Sequence, residues 1–120
     1  MDRHEKIDYV EFAAKDMEAT KAFFGVVFGW VFTDYGPDYM DSPGGGIMTG
    51  FFRANQRSTP ADGGALVAFF SSDLQTTLDK IRAGGGMIVK PIFSFPGGRR
   101  FQFTEPSGNE FSVWSDQDME

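Results

Sequence analysis

Ile7-Asp-Tyr-Val-Glu-Phe-Ala-Ala-Lys-Asp16 opens the first half of this sequence, and Ala65-Leu-Val-Ala-Phe-Phe-Ser-Ser-Asp73 opens the second. Both are strand-like runs that end at an aspartate, and apolar residues at helical spacing follow each aspartate. An aspartate at that point is a favourable N-cap, because its carboxylate accepts hydrogen bonds from the free amides of the first helical turn. Each half is therefore predicted to begin with a strand and a helix.

The two halves keep one register over these elements. The pairs Phe12 and Phe69, Asp16 and Asp73, and Gly29 and Gly86 are each 57 positions apart. An offset shared by strand, cap and helix end indicates an internal repeat, in which each half reads strand, helix and three strands. Pro43 and Pro106 are 63 positions apart, so the second half holds six more residues at that point. We expect these residues in a loop between Pro91 and Gly98.

The segment 55–64 separates the halves and is rich in Ser, Thr, Pro, Asp and Gly, which is typical of a linker. A chain of 120 residues is long enough for one domain with a substantial core. We therefore predict a single domain over 1–120, with a first module at about 5–54 and a second module at about 65–116.

The turn Glu105-Pro-Ser-Gly-Asn109 predicts the register of the last hairpin. A three-residue loop with Gly108 in the left-handed conformation pairs Phe103 with Phe111 and Phe101 with Val113, so that apolar residues meet on the side of the helices. Strand alternation then places the polar residues and a tryptophan together on the opposite face: Arg100, Gln102, Thr104, Glu110, Ser112 and Trp114.

Composition excludes some partners. The formal net charge is −6 and the only basic pair is Arg99-Arg100, so no basic surface for nucleic acid is expected. No apolar stretch has the length of a transmembrane helix, and the charged N-terminus has no signal-peptide core, so we expect neither membrane insertion nor secretion. The sequence has no cysteine. We expect a cytoplasmic protein.

Two motifs carry a family resemblance: Asp16 followed by Thr20-Lys-Ala-Phe-Phe-Gly-Val-Val-Phe-Gly-Trp30, and Arg99-Arg-Phe-Gln-Phe-Thr-Glu-Pro-Ser-Gly-Asn109. On these motifs, from about Ile7 to Trp114, the chain resembles the glyoxalase/bleomycin resistance/dioxygenase (vicinal oxygen chelate) superfamily, and within it proteins related to lactoylglutathione lyase. The resemblance implies an α+β fold of two βαβββ modules, whose curved mixed sheets enclose a cavity, often in a homodimer. Many members of the family are lyases or dioxygenases that hold a divalent metal there.

The resemblance also implies where metal ligands would lie, on the first and last strands of each module. Those positions are Tyr9, Thr49, Leu66 and Ser112, and we expect them to line one shared hollow. Leu66 offers no donor atom, and neutral hydroxyls are poor ligands beside imidazole and carboxylate. We therefore expect no metal and no cofactor, and whether the chain is an enzyme stays open.

The predicted ligand-binding residues lie on the faces away from the helices. Aromatic side chains from both modules, Tyr9, Phe51, Phe70 and Trp114, form a clamp for a planar ligand or, alternatively, pack on each other and fill the cavity. Arg100 binds a ligand oxygen or pairs with Glu11, Asp41 or Glu110. The full predicted set is Tyr9, Glu11, Tyr39, Thr49, Phe51, Leu66, Phe70, Arg100, Gln102, Ser112 and Trp114.

The sequence therefore favours a metal-independent binding protein for a small, partly planar, apolar ligand. One alternative is a metal-free lyase or isomerase that transfers a proton through Glu11 or Tyr9. Another is an interaction module whose cavity is filled. We expect a homodimer, because neighbouring family members usually pair modules across subunits.

Overall fold

The computed structural model describes residues 3–116, which form two four-stranded mixed sheets and two helices. The first half contains β1 (Tyr9–Ala14), α1 (Met17–Phe28), β2 (Thr33–Asp34), β3 (Tyr39–Ser42) and β4 (Met48–Arg53). The second half contains β5 (Val67–Phe70), α2 (Leu74–Ala83), β6 (Met87–Phe95), β7 (Gly98–Thr104) and β8 (Glu110–Ser115). The sheet orders are β1-β4-β3-β2 and β5-β8-β7-β6, so the predicted pair of βαβββ modules is confirmed.

Both helices begin at the predicted aspartates. The Asp16 carboxylate accepts a hydrogen bond from the Ala19 amide at 3.0 Å, and the Asp73 carboxylate accepts one from Thr76 at 3.2 Å. Helix α1 ends at Gly29, whose φ of 72° is in the left-handed region where glycine has no steric penalty. The aspartates therefore mark the beginnings of both helices, as the sequence predicts, and Gly29 marks the end of α1.

The last hairpin has the predicted register. Phe103 pairs with Phe111 and Phe101 with Val113, while Gly108 has a φ of 97°. The loop between β7 and β8 is short, so its length fixes the pairing.

The expected loop between Pro91 and Gly98 is mostly strand. Strand β6 continues to Phe95, and the extra residues lengthen the β6–β7 hairpin. Pro91 lies inside β6, where the pairing register shifts between Lys90 and Phe93. Because β6 is an edge strand, a residue without an N–H can be accommodated at such an irregularity, and the proline does not end the strand.

One apolar core lies between the two sheets, and α1 lies within it. The Phe24 ring is 5.5 Å from Phe51 of β4 and 5.7 Å from Phe111 of β8, measured between ring centroids. Phe12 of β1 contacts Phe111 directly at 5.0 Å. Since the inner faces of both sheets share this core, their outer faces point away from each other.

Buried polar groups of the β7–β8 turn join the second half to the first. The Asn109 amide donates to the Ala13 carbonyl at 2.8 Å and accepts from the Ser58 amide at 2.8 Å. The Thr20 hydroxyl donates to the buried Glu105 carboxylate at 2.6 Å. These bonds fix the orientation of the two modules, because an unmade hydrogen bond is costly inside the core.

Candidate functional site

The site residues lie on the two sheet faces that do not contact the core. The first outer face belongs to β1, β3 and β4, and it consists of Tyr9, Glu11, Tyr39, Asp41, Met48, Gly50 and Phe52. The second outer face belongs to β5, β7 and β8, and it consists of Ala68, Phe70, Arg100, Gln102, Ser112 and Trp114.

Hydroxyl and carboxyl groups form a chain on the first outer face. The Tyr9 hydroxyl donates to Glu11 Oε1 at 2.7 Å and lies 2.7 Å from the Tyr39 hydroxyl. Since the single Tyr9 proton goes to Glu11, Tyr39 donates to Tyr9. A Cβ at Gly50 would lie 2.6 Å from the Tyr39 hydroxyl oxygen and 2.8 Å from Tyr9 Cζ, so a larger residue at this position would displace the tyrosine pair.

Tyr9 is held in its protonated form. Burial of its hydroxyl raises the pKa of Tyr9 above the ordinary value, and the hydrogen bonds with Tyr39 and Glu11 raise it further. A phenol with a raised pKa is a poor base near neutral pH. Of the two residues predicted for proton transfer, Glu11 is therefore the one suited to accept a proton.

The predicted faces of Thr49 and Phe51 are wrong. Thr49 pairs with Val10 and Phe51 with Phe12, so both side chains lie on the core side of β4. Phe51 is fully buried against Phe12 and Phe24 and is unable to contact a ligand on the outer face. Met48 and Gly50 are the residues of β4 that face outward beside Tyr9 and Glu11.

The four positions implied for a metal do not meet in one chain. Tyr9 lies on the first outer face and Ser112 on the second, with the core between them, and Thr49 faces that core. Leu66 precedes β5 and is half-buried. The expectation of a hollow shared by these positions is therefore not met within a single copy.

The residues present do not fit the family's metal. A divalent ion in such a site needs imidazole or carboxylate ligands, and Ser112 and Leu66 supply neither. Gly50, the outward-facing residue opposite Glu11 on β4, has no side chain. Among residues 3–116, no three His, Cys, Asp or Glu side chains are grouped closely enough to hold an ion.

Aromatic rings border a pocket on the second outer face. Trp114 meets Phe70 edge to face at 5.2 Å and Phe95 at 6.3 Å, measured between ring centroids. The pocket has a volume of about 250 Å³ and is lined by Ala68, Phe95, Arg100, Ser112 and Trp114. The structure thus brings three of the predicted residues, Arg100, Ser112 and Trp114, to this space, and a fourth, Phe70, packs against Trp114.

Arg100 has no carboxylate partner in the part of the chain that the structure describes. None of the ion pairs among residues 3–116 involves it, so the predicted alternatives with Glu11, Asp41 and Glu110 are wrong within one copy. Its guanidinium lies over two rings, 5.1 Å from the centroid of Phe93 and 5.3 Å from that of Phe95.

The polar groups beside Arg100 are already engaged. Gln102 is buried and donates through Nε2 to Glu110 Oε2 at 2.6 Å. The Ser112 hydroxyl donates to the Phe101 carbonyl at 3.1 Å, so its oxygen is left as an acceptor. Among the residues that border the pocket, Arg100 is consequently the main donor of charge-assisted hydrogen bonds.

The sequence-based prediction missed three residues around Arg100: Ala68, Phe93 and Phe95. The two phenylalanines occupy alternate positions of β6, a pattern that predicts a shared strand face. That signal was hidden by the prediction of a loop between Pro91 and Gly98.

No helix within residues 3–116 has the length and apolar character needed to cross a membrane.

Curated proteins with a similar sequence include CFP32 of Mycobacterium bovis, named as a candidate glyoxylase. It is 27% identical over 120 residues, an alignment that covers 89% of this chain and 44% of the relative. The chain thus spans less than half the length of the curated relatives that it matches.

Solved structures share the fold at low sequence identity. A glyoxalase-related enzyme from Fulvimarina pelagi has a TM-score of 0.77 at 16% identity, covering 92% of this chain and 88% of that one. The fosfomycin resistance protein FosX from Listeria monocytogenes, as a variant in complex with Mn(II) and 1S,2S-dihydroxypropylphosphonic acid, has a TM-score of 0.76 at 19% identity, covering 92% and 89%. The family model of the Glyoxalase/Bleomycin resistance protein/Dioxygenase superfamily matches residues 6–113, so the chain belongs to that superfamily.

Proposed function

We propose that the protein binds a small, partly planar ligand without a metal, on its second outer face. The observation that carries this proposal is the pocket of about 250 Å³ lined by Trp114, Phe95, Arg100, Ser112 and Ala68. Apolar walls with a few polar groups are typical of ligand pockets, and a pocket of this size suits a small molecule. FosX, which shares the fold, binds a small organic acid together with manganese.

Exposed apolar side chains on both outer faces support a homodimer. Phe70 is 54% exposed and Tyr9 and Met48 are each 39% exposed, although all three lie on sheet faces. Surfaces of this kind are often covered by a partner. We propose that the first outer face of one copy covers the second outer face of another, so that Tyr9, Glu11 and Tyr39 complete the pocket.

A thermal-shift titration tests the binding function. The protein is treated with a chelator, and 2-naphthalenemethanol is added as an uncharged planar probe. Binding to the folded state raises the melting temperature as the probe concentration increases. Trp114→Ala is expected to abolish the increase, whereas Val26→Ala, which shortens an exposed apolar side chain of α1, is expected to retain it. A shift that is absent both with this probe and with its carboxylate analogue 2-naphthoate, or one that requires added metal, would refute the proposal.

The hydroxyl–carboxyl chain supports a metal-free lyase or isomerase as a second candidate. Tyr39 donates to Tyr9 and Tyr9 donates to Glu11, which leaves Glu11 with acceptor capacity for a substrate proton. Exchange of a proton with deuterated water separates the enzyme from a binding protein. An enzyme is expected to catalyse exchange of the acidic C–H proton of a bound carbonyl compound, whereas a binding protein is not. Glu11→Gln is then expected to abolish the exchange and to leave binding intact.

A further inference from the structure

We propose that the ligand of the second outer face is a planar aromatic carboxylate, whose ring lies against Trp114 and whose carboxylate pairs with Arg100. This inference rests on the proposed binding function and names the chemical class of its ligand.

Arg100 has no counter-ion among the side chains that the structure describes. Arg100 is half-buried and makes no ion pair among residues 3–116, whereas charges that are removed from water are normally paired. Its Nε is buried and has no hydrogen-bond acceptor. Glu110 is the only acidic residue in the strands of this sheet, and it accepts the Gln102 amide. The pocket therefore contains a cation whose anion is not supplied by the neighbouring strands.

Arg100 is held in place before any ligand arrives. Its guanidinium lies within 5.3 Å of the centroids of Phe93 and Phe95, and cation–π contacts of this kind restrict a long side chain. An arginine fixed in this way loses little conformational entropy when it binds an anion. Its planar fork matches the two oxygens of a carboxylate better than a single point charge does.

The two outer faces differ in charge. The second outer face carries Lys90 and Arg100 against one acidic residue, Glu110, because Arg99 alternates with Arg100 and lies on the other face of β7. The first outer face carries Glu11 and Asp41, and the whole chain has a formal net charge of −6. Within one copy, the pocket beside Arg100 is therefore the part of the two outer faces that favours an anion.

The apolar walls determine the remainder of the ligand. Trp114 and Phe95 border the pocket, and Ser112 is fully buried and donates its proton to the Phe101 carbonyl, so it adds no donor. Stacking on such rings favours a flat, apolar body, and the volume of about 250 Å³ has room for a small ring system.

Isothermal titration with two matched probes tests the inference. One probe is 2-naphthoate and the other is 2-naphthalenemethanol, which has the same ring system without the charge. The wild-type protein is expected to bind the carboxylate at least about tenfold more tightly than the alcohol. Arg100→Gln is expected to remove that preference, Arg100→Lys to retain part of it, and Trp114→Ala to weaken both probes. Arg82→Gln, an exposed charge change on α2, is the control and retains the preference.

The outcomes separate the ligand class from the function. If the alcohol binds and the carboxylate binds no better, the ligand class is wrong and the binding function stands. If neither probe binds, both are refuted. A preference that persists in Arg100→Gln, with its melting temperature unchanged, places the anion elsewhere and overturns the inference. If Glu11→Gln prefers the carboxylate and the wild type does not, the Glu11 carboxylate of a second copy neutralises Arg100. That result also overturns the inference.

Discussion

At the scale of single residues, Glu105 shows how the fold holds a carboxyl group in its core. Its carboxylate is 2% exposed and accepts hydrogen bonds from Thr20, Ser107 and Asn109. Burial raises the pKa of Glu105, and the hydrogen bonds offset only part of that effect. Because the folded pKa lies above the unfolded value, the contribution of Glu105 to stability is fully present below the unfolded pKa. It is lost as the pH rises through the folded pKa.

Glu105→Gln tests this account, because the amide does not titrate and places an NH₂ group among donors. We expect the variant to lose about 1–3 kcal/mol of unfolding free energy in mildly acidic solution. The difference from the wild type is expected to shrink as the pH rises. Urea unfolding between mildly acidic and neutral pH measures both effects, with Glu18→Gln on the exposed first turn of α1 as control. A difference that grows with pH would contradict the direction of the pKa shift.

Gly50 provides a second test at this scale. Gly50→Ala places a Cβ against the hydroxyls of Tyr9 and Tyr39 and should separate them. The pKa of Tyr9 is then expected to fall toward the ordinary value, because its hydrogen bonds are lost. Tyrosinate absorbance measured against pH follows this change, and Tyr9→Phe identifies the signal. An unchanged titration in Gly50→Ala would show that the tyrosine pair does not raise the pKa.

The outward-facing residues of β4 were not predictable from the sequence. The run Met48-Thr-Gly-Phe-Phe52 has no alternation of polar and apolar residues, so its faces depend on pairing with β1. That pairing places Thr49 and Phe51 inward. Strands with clear alternation, such as β8, were assigned correctly because the pattern alone separates their faces.

At the scale of elements, the two N-caps make equivalent contributions to their helices. Asp16→Ala and Asp73→Ala each remove a hydrogen bond to the first turn and are each expected to cost about 1 kcal/mol of unfolding free energy. Urea unfolding measures the loss, and Ser72→Ala, an exposed neighbour of Asp73, is expected to change stability little. A loss at only one aspartate would contradict the equivalence of the two halves.

The two hairpins of the second module show what local sequence determines. The β7–β8 register was predictable, since a short loop leaves one pairing that places Phe opposite Phe and Val. The β6–β7 hairpin was not predictable, because Pro91 indicates a break, and only the position of β6 at the sheet edge allows the strand to continue.

At the scale of the whole molecule, the sequence predicts two modules but not their mutual orientation. The packing of Phe12, Phe24 and Phe111 places the sheets with their inner faces on one core, and this depends on contacts between distant parts of the chain. The cavity that the fold implies between curved sheets is therefore not formed within one copy, whose two outer faces point away from each other and one of which carries the pocket.

The outward orientation of the two sheet faces leads to a prediction about oligomeric state. We expect the protein to be a dimer, because pairing of outer faces covers Met48 and Phe70. Phe70→Asp and Met48→Asp are expected to give monomers in sedimentation equilibrium, since each places a charge in the contact. Val26→Asp, a matched change at an exposed apolar residue of α1, is expected to remain dimeric. A monomeric wild type would contradict the proposed covering of the pocket.

The two tryptophans give the most direct test of metal-independent binding at the second outer face. Trp30 is buried in the core, and Trp114 borders the pocket, so their indole N–H resonances report separately on the core and on the pocket. In chelator-treated protein, titration with 2-naphthalenemethanol is expected to shift the Trp114 resonance to saturation and to leave that of Trp30 in place. A Trp114 resonance that is unmoved both by this probe and by 2-naphthoate, or a shift that needs added divalent metal, would contradict the account.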